Sequence, residues 1–212
     1  MNSELIAILT ADVVDSRKIP QKDLSLLFEI FNQEIVGKLK LRKGTFEFFR
    51  GDSFQGKVPI EESLRIALLW RSAFKSRQQD IRLAVGIGRM SYNAKSTAVS
   101  GGEAFELSGS YLDDLKLQQE SRMGIVSTDE RLNICMQTSC ILAEAIISRW
   151  SDIGAETIYN MLLQNNNQDS LALRFGVTQP AIHKRLQAAN WPAIKKWELN
   201  FRTMISQITI DN

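Results

Sequence analysis

The chain is poor in the residues that most often announce chemistry. Among 212 residues there is one histidine, His183, and there are two cysteines, Cys135 and Cys140. The cysteines lie five apart inside an apolar helical pattern, which is no zinc spacing and reads as a pair of small hydrophobes. Nothing next to His183 in sequence supplies partners for a metal ion or a catalytic dyad. Charge of one sign is lacking too. Lys plus Arg number 26 against 24 Asp plus Glu, a net +2, so no global field draws the chain to nucleic acid or membrane and any basic surface has to be local. No uncharged apolar run approaches the roughly 18 residues of a membrane span. The start, Met1-Asn2-Ser3-Glu4-Leu5, has no basic stretch leading into a long apolar one, so it does not read as a secretory signal. A cytoplasmic protein with no membrane partner is expected.

What is present is ordinary globular composition, 44% apolar and 24% charged, in a length that suggests more than one domain at roughly 150 residues each. The periodicity changes along the chain. Leu5 to Val14 is a nearly continuous apolar run, as in a strand buried on both faces. Leu24, Leu27, Phe28, Phe31, Ile35 and Leu39 then recur at helical spacing over Gln21 to Leu41. Two strand-like runs, Thr45 to Arg50 and Ser53 to Val58, are separated only by Gly51-Asp52, the spacing of a tight hairpin. A helix over Glu61 to Arg77, a strand over Ile81 to Ile87, a helix over Glu103 to Leu117 and a strand over Met123 to Ser127 follow. The order is βαββαβ with an added helix and strand, a ferredoxin-like arrangement. Ser127 and Glu130 have capping-box spacing, opening a helix through Leu132, Met136, Cys140, Ala143, Ile147 and Trp150. With no Pro/Gly/Ser-rich linker, that helix is expected to connect the halves. The fold class is therefore α+β: a palm over 1–128, a connecting helix over 129–150 and an all-α domain over 151–212.

The all-α domain carries the clearest pattern. In DSLALRFGVTQPAIHKRLQAA, starting at Asp169, Leu171 and Ala172 belong to a short first helix, Gly176 takes a turn that needs positive φ, and Val177 plugs the core. Thr178 is a predicted N-cap for a helix with Pro180 in its first turn, and Ile182 and Leu186 point inward. This spacing resembles the helix-turn-helix family. The resemblance implies DNA as a partner, with Gln179, His183, Lys184 and Gln187 toward the major groove and Thr178 and Arg185 near phosphates. Between Gln168 and Arg202, six basic residues face only Asp169 and Glu198, whereas residues 1–130 hold eighteen charges of each sign. The bland alternative is a helical hairpin for protein contact. Trp191 and Trp197 read as packing residues of the next helix.

In the palm, Asp12 ends the buried strand in TADVVDSR and Asp52 sits at the hairpin tip in RGDSF. A carboxylate buried there costs several kcal/mol unless it is paired or binds a cation, so the two residues are candidate Mg²⁺ ligands. Common turn chemistry at a strand end and in a hairpin is the competing explanation. Over residues 4–130 the chain resembles the class III nucleotide cyclase palm, and more closely the SatD-like family, on ADVVDSR, RGDSF, IRLAVGIGRM, GGEAFELSGSYLDDL and GIVSTDERL. SatD-like proteins carry a C-terminal helix-turn-helix whose ending is similar to TQPAIHKRLQAANW here. The resemblance implies Asp12 and Asp52 as metal ligands, with the backbone of Val13 to Ser16 close to a triphosphate. It also marks departures. Where cyclases place an Asn for the ribose and an Arg for the transferring phosphoryl group, this chain has Glu106 and Ser110, and Asp15 replaces a glycine. The expectation is a homodimeric DNA-binding regulator whose palm senses a nucleotide or dimerises without turnover. The rival is a divergent Mg²⁺-dependent nucleotidyl cyclase or nucleotidyltransferase with a helical accessory domain.

Overall fold

The computed structural model describes residues 5–33, 45–92, 101–164 and 167–210. Six strands occur among them: β1 (Leu5–Val13), β2 (Thr45–Arg50), β3 (Ser53–Val58), β4 (Ile81–Tyr92), β5 (Gly101–Gly102) and β6 (Met123–Ser127). Eight α-helices accompany them: α1 (Gln21–Phe31), α2 (Ser63–Lys75), α3 (Glu103–Gln118), α4 (Glu130–Ile147), α5 (Asp152–Gln164), α6 (Gln168–Phe175), α7 (Gln179–Ala188) and α8 (Trp191–Ile210). The predicted continuation of the first helix toward Leu41 lies outside the described residues.

The apolar run Leu5–Val13 is the central strand. It pairs antiparallel with β3 on one side and β4 on the other, and β2 follows β3, so the order is β2-β3-β1-β4 with β6 parallel to β4. That is the sheet order of a βαββαβ ferredoxin-like unit. The expected hairpin and the strand Met123–Ser127 are where the periodicity placed them. Strand β4 runs on to Tyr92 because its far end gains a second partner, β5.

The strand period of two sorts β1 into two faces. Ala7, Leu9, Ala11 and Val13 share one; Ile6, Ile8, Thr10 and Asp12 share the other, where Ile6 and Ile8 meet Ala104 of α3. On the hairpin side, Phe28 and Phe31 of α1 meet Phe46 and Phe54, with ring centroids 5.0–6.0 Å apart. Close approach of α3 to the sheet depends on glycine. A methyl group at Gly86 would stand 2.2 Å from the Ala104 carbonyl oxygen and 2.6 Å from the Ser108 nitrogen, both backbone atoms. The alternating AVGIG of β4 is thus a slot for a helix.

The chain divides into two compact units, residues 1–63 with 81–141 and residues 64–80 with 142–212. The first holds the sheet, α1 and α3; the second holds nearly all of α2 together with α5–α8, and the boundary falls within α4. Helix α2, which sequence order puts in the middle of the palm, groups with the C-terminal helices. That unit contains a buried charge cluster. Arg71 is fully buried; its Nε and Nη2 donate to Asp80 at 3.0 and 3.2 Å, and its Nη1 and Nη2 donate to Glu144 at 2.5 and 2.7 Å. Lys75 adds a second cation 3.5 Å from Asp80. Arg65 also donates to the Leu162 carbonyl at 2.6 Å.

One predicted cap is corrected. The residue that caps α4 is Asp129, whose carboxylate accepts from Leu132 N at 3.0 Å. Ser127 Oγ accepts from Asp129 N at 3.0 Å, and the side chain reaching back to Ser127 is Asn133 rather than Glu130. A carboxylate three residues before a free N–H serves as well as the Ser of a capping box, so the cap moved two positions along.

Candidate functional site

On the α3 face of the sheet, the strand registers gather a polar stripe. Thr10 stands across from Gln55 and Ala84, and Asp12 across from Ser53 and Arg82. Gln55 donates to Thr10 at 2.9 Å, and the Thr10 and Ser108 hydroxyls are 2.8 Å apart. Asp12, with its side chain 7% exposed, accepts from Arg82 Nη1 at 2.9 Å on one carboxylate oxygen, and Lys116 Nζ lies 3.2 Å from the other. Lys116 also reaches Asp113 at 3.1 Å. Burial works against the Lys116 ammonium, but its hydrogen bonds to Asp113 and Asp12 outweigh that and hold its pKa above the ordinary lysine value.

Asp52 lies in the β2–β3 turn, joined to the end of β1 by the hydrogen bond from Val13 N to its carbonyl at 3.2 Å. Its carboxylate accepts from the Ser16 hydroxyl, and Ser53 Oγ is 3.5 Å from its other oxygen. Asp15 takes a left-handed conformation, φ 56°, and pairs with Lys18 at 3.0 Å. The hairpin therefore does bring Asp52 beside the end of β1. Both oxygens of Asp12, however, are held by protein cations. Among the described residues no group of three or more His, Cys, Asp or Glu side chains is placed to hold a metal ion. Mg²⁺ needs an octahedron of oxygens, and two fixed positive charges about 3 Å from the carboxylate oppose it. This donor set does not fit the metal that the sequence suggested. Glu106 and Ser110 are exposed on α3. Sequence reasoning missed Arg82 and Lys116. Their pairing with Asp12 needs the β1–β4 register and the position of α3, which are long-range facts.

In the second unit, α6 and α7 are joined by Gly176-Val177-Thr178. Asn167 caps α6 by accepting from Ser170 N at 2.8 Å. Gly176 takes φ 63°, and Val177 N returns to the Ala172 carbonyl at 3.0 Å, closing the turn. Leu171, Ala172, Ile182 and Leu186 are buried, as their spacing predicted. Thr178 stands at the N-cap position of α7 with extended backbone, but its hydroxyl makes no capping bond. Thr178, Gln179, His183, Lys184 and Gln187 are exposed along one side of the pair. Arg185 is only half exposed, because its guanidinium lies over the Phe175 ring, 5.6 Å from the centroid. Gln179 Nε2 donates to Gln168 Oε1 at 2.7 Å. Trp191 is buried and Trp197 partly so; Trp150 Nε1 donates to the Ala189 carbonyl at 2.9 Å. Lys195 and Lys196 are exposed on α8, while Arg202 is bonded to the buried Glu198.

Comparison with protein-family models and with curated proteins finds no match for this chain. Among solved structures, it is similar to an adenylate/guanylate cyclase/hydrolase from Silicibacter pomeroyi, with 17% identity and a TM-score of 0.42 over 57% of this chain and 82% of that one. It is similar to a bacterial light-regulated adenylyl cyclase at 14% identity and a TM-score of 0.41, over 57% and 76% of the two chains. It is also similar to the GGEEF domain of a diguanylate cyclase from Vibrio cholerae, at 13% identity and a TM-score of 0.40, over 60% and 85%. Among the described residues, no helix is long and apolar enough to cross a membrane.

Proposed function

We propose that this chain is a sequence-specific DNA-binding regulator, that α6 and α7 form its helix-turn-helix, and that its cyclase-like palm senses or dimerises rather than catalyses. The observation that carries the reading is the division of α7 into two faces. Ile182 and Leu186 are buried, while Gln179, His183, Lys184 and Gln187 stand in solvent after a glycine turn of three residues. A helix held at its back with a row of hydrogen-bonding side chains in front is suited to the major groove. Gln179 spends one amide hydrogen on Gln168 and keeps its carbonyl and second hydrogen, the pair that matches an adenine edge. Lys195 and Lys196 supply exposed positive charge for phosphates. Read as a homodimer, the protein would address two half-sites about one helical turn apart.

The palm supports the non-catalytic half of the proposal through what stands at its critical positions. Glu106 would repel a phosphate, Ser110 carries no charge to set against a developing oxyanion, and Asp12 is already neutralised. A nucleotide is the ligand class this reading assigns to the palm.

Retention of fragmented genomic DNA by the purified protein, at two salt concentrations, tests the proposal. Sequence-selective retention that survives the higher salt is expected. Replacing Lys184 and Arg185 by alanine should weaken binding and make the salt slope shallower. Retention that is weak, unselective and lost uniformly with salt would refute the DNA-binding reading. A nucleotide that binds the palm but leaves operator affinity unchanged would refute the sensing role.

A further inference from the structure

The polar stripe under α3 contains a row of four charges of alternating sign. Arg82 touches Asp12, Asp12 touches Lys116, and Lys116 touches Asp113, at 2.9, 3.2 and 3.1 Å. The row sums to zero. Each oxygen of the buried Asp12 carboxylate has its own cation, so the cost of burying it is met inside the protein.

This placement follows from how the elements run. Asp12 and Arg82 are direct partners in the antiparallel register of β1 and β4. On α3, Ala104, Ser108, Leu112 and Lys116 are four apart and share a face. Ala104 packs on Ile6 and Ile8, and Ser108 bonds Thr10. A helix rises about 1.5 Å per residue and a strand about 3.3 Å. The eight-residue step from Ser108 to Lys116 therefore outruns the two-residue step from Thr10 to Asp12. The long lysine stem makes up the difference, because helical side chains lean back toward the N-terminus. Leu112 and Leu115 of the same helix pack on Ala84.

We infer that Arg82 and Lys116 are the counter-charges of Asp12 in place of a divalent cation, and that this centre ties β1, β4 and the last turn of α3 together without metal. The inference concerns the first unit alone and stands whether or not the second unit binds DNA. It separates two fates for Asp12. A carboxylate kept for a metal is electrostatically strained in the metal-free protein, so its neutral isostere relaxes the fold. A carboxylate with two cations of its own is missed whether or not metal is present.

The experiment uses the full chain. Mn²⁺ is titrated calorimetrically into the wild-type protein, and amide hydrogen exchange is followed by mass spectrometry in peptides from β1 and β4. Each exchange run is made once with a chelator and once with millimolar Mg²⁺. No saturable Mn²⁺ binding is expected. The Asp12→Asn variant should exchange on the order of 10-fold faster in both peptides, equally with chelator and with Mg²⁺. Saturable Mn²⁺ binding that Asp12→Asn abolishes would overturn the inference, and so would exchange that is unchanged or slower in Asp12→Asn. If that variant does not fold, Lys116→Gln takes its place, because the lysine is 40% exposed and its loss is milder. A several-fold rise in exchange in the same peptides is then expected, and none would overturn the inference.

Discussion

Replacing Arg71 by methionine should destabilise the second unit by about 3–5 kcal/mol, the range found when one partner is removed from a buried ion pair. The figure follows from the geometry. Arg71 is fully buried and donates four hydrogen bonds to two carboxylates, bidentate to both Asp80 and Glu144. Burial works against its charge, yet Glu144 and Asp80 outweigh that and raise its pKa above an already high value. With methionine in its place the volume is nearly kept, but both carboxylates lose the guanidinium that offsets their buried charge. Urea unfolding followed by tryptophan fluorescence is the assay, because all four tryptophans, Trp70, Trp150, Trp191 and Trp197, lie in the second unit. Adding Asp80→Asn and Glu144→Gln should recover part of the loss, since it removes the two charges that Arg71 offsets. A cost under about 1 kcal/mol for Arg71→Met would refute the reasoning.

Three further outcomes are expected. Gly86→Ala should cost about 3 kcal/mol because its methyl meets the backbone of α3, whereas Gly109→Ala, in the same helix with open space at its Cβ, should stabilise by about 0.5–1 kcal/mol; paired denaturation curves read both. Asp129→Ala should cost about 1 kcal/mol through loss of the α4 cap, and Glu130→Ala much less, by the same measurement. Lys116 contributes stability that is complete below the ordinary lysine pKa of 10.5 and is lost as pH rises through its raised folded value. Lys116→Gln should therefore be less stable at neutral pH and lose less between pH 10 and 12, as seen in far-ultraviolet circular dichroism.

The sequence by itself determined the elements and their faces. Strand period in Leu5–Val13, Gly51-Asp52 between two β-runs, and Gly176 before an N-cap position are local signals, and each is matched by the backbone at those residues. Burial of Ile182 and Leu186 followed from helical spacing alone. Even the position of Asp12 at the end of a buried strand could be read directly.

What surrounds Asp12 could not. Arg82 lies 70 residues away and Lys116 still further, and they meet the carboxylate only because β4 pairs with β1 in one register and α3 crosses above them. The same holds for Arg71, whose carboxylates stand nine and 73 residues along the chain. A buried charge is an open question in the sequence, because its cost is met by whichever opposite charge the fold brings near. Only the tertiary structure chooses between a metal ion and a neighbouring side chain, and for Asp12 it chooses two cations of the chain's own.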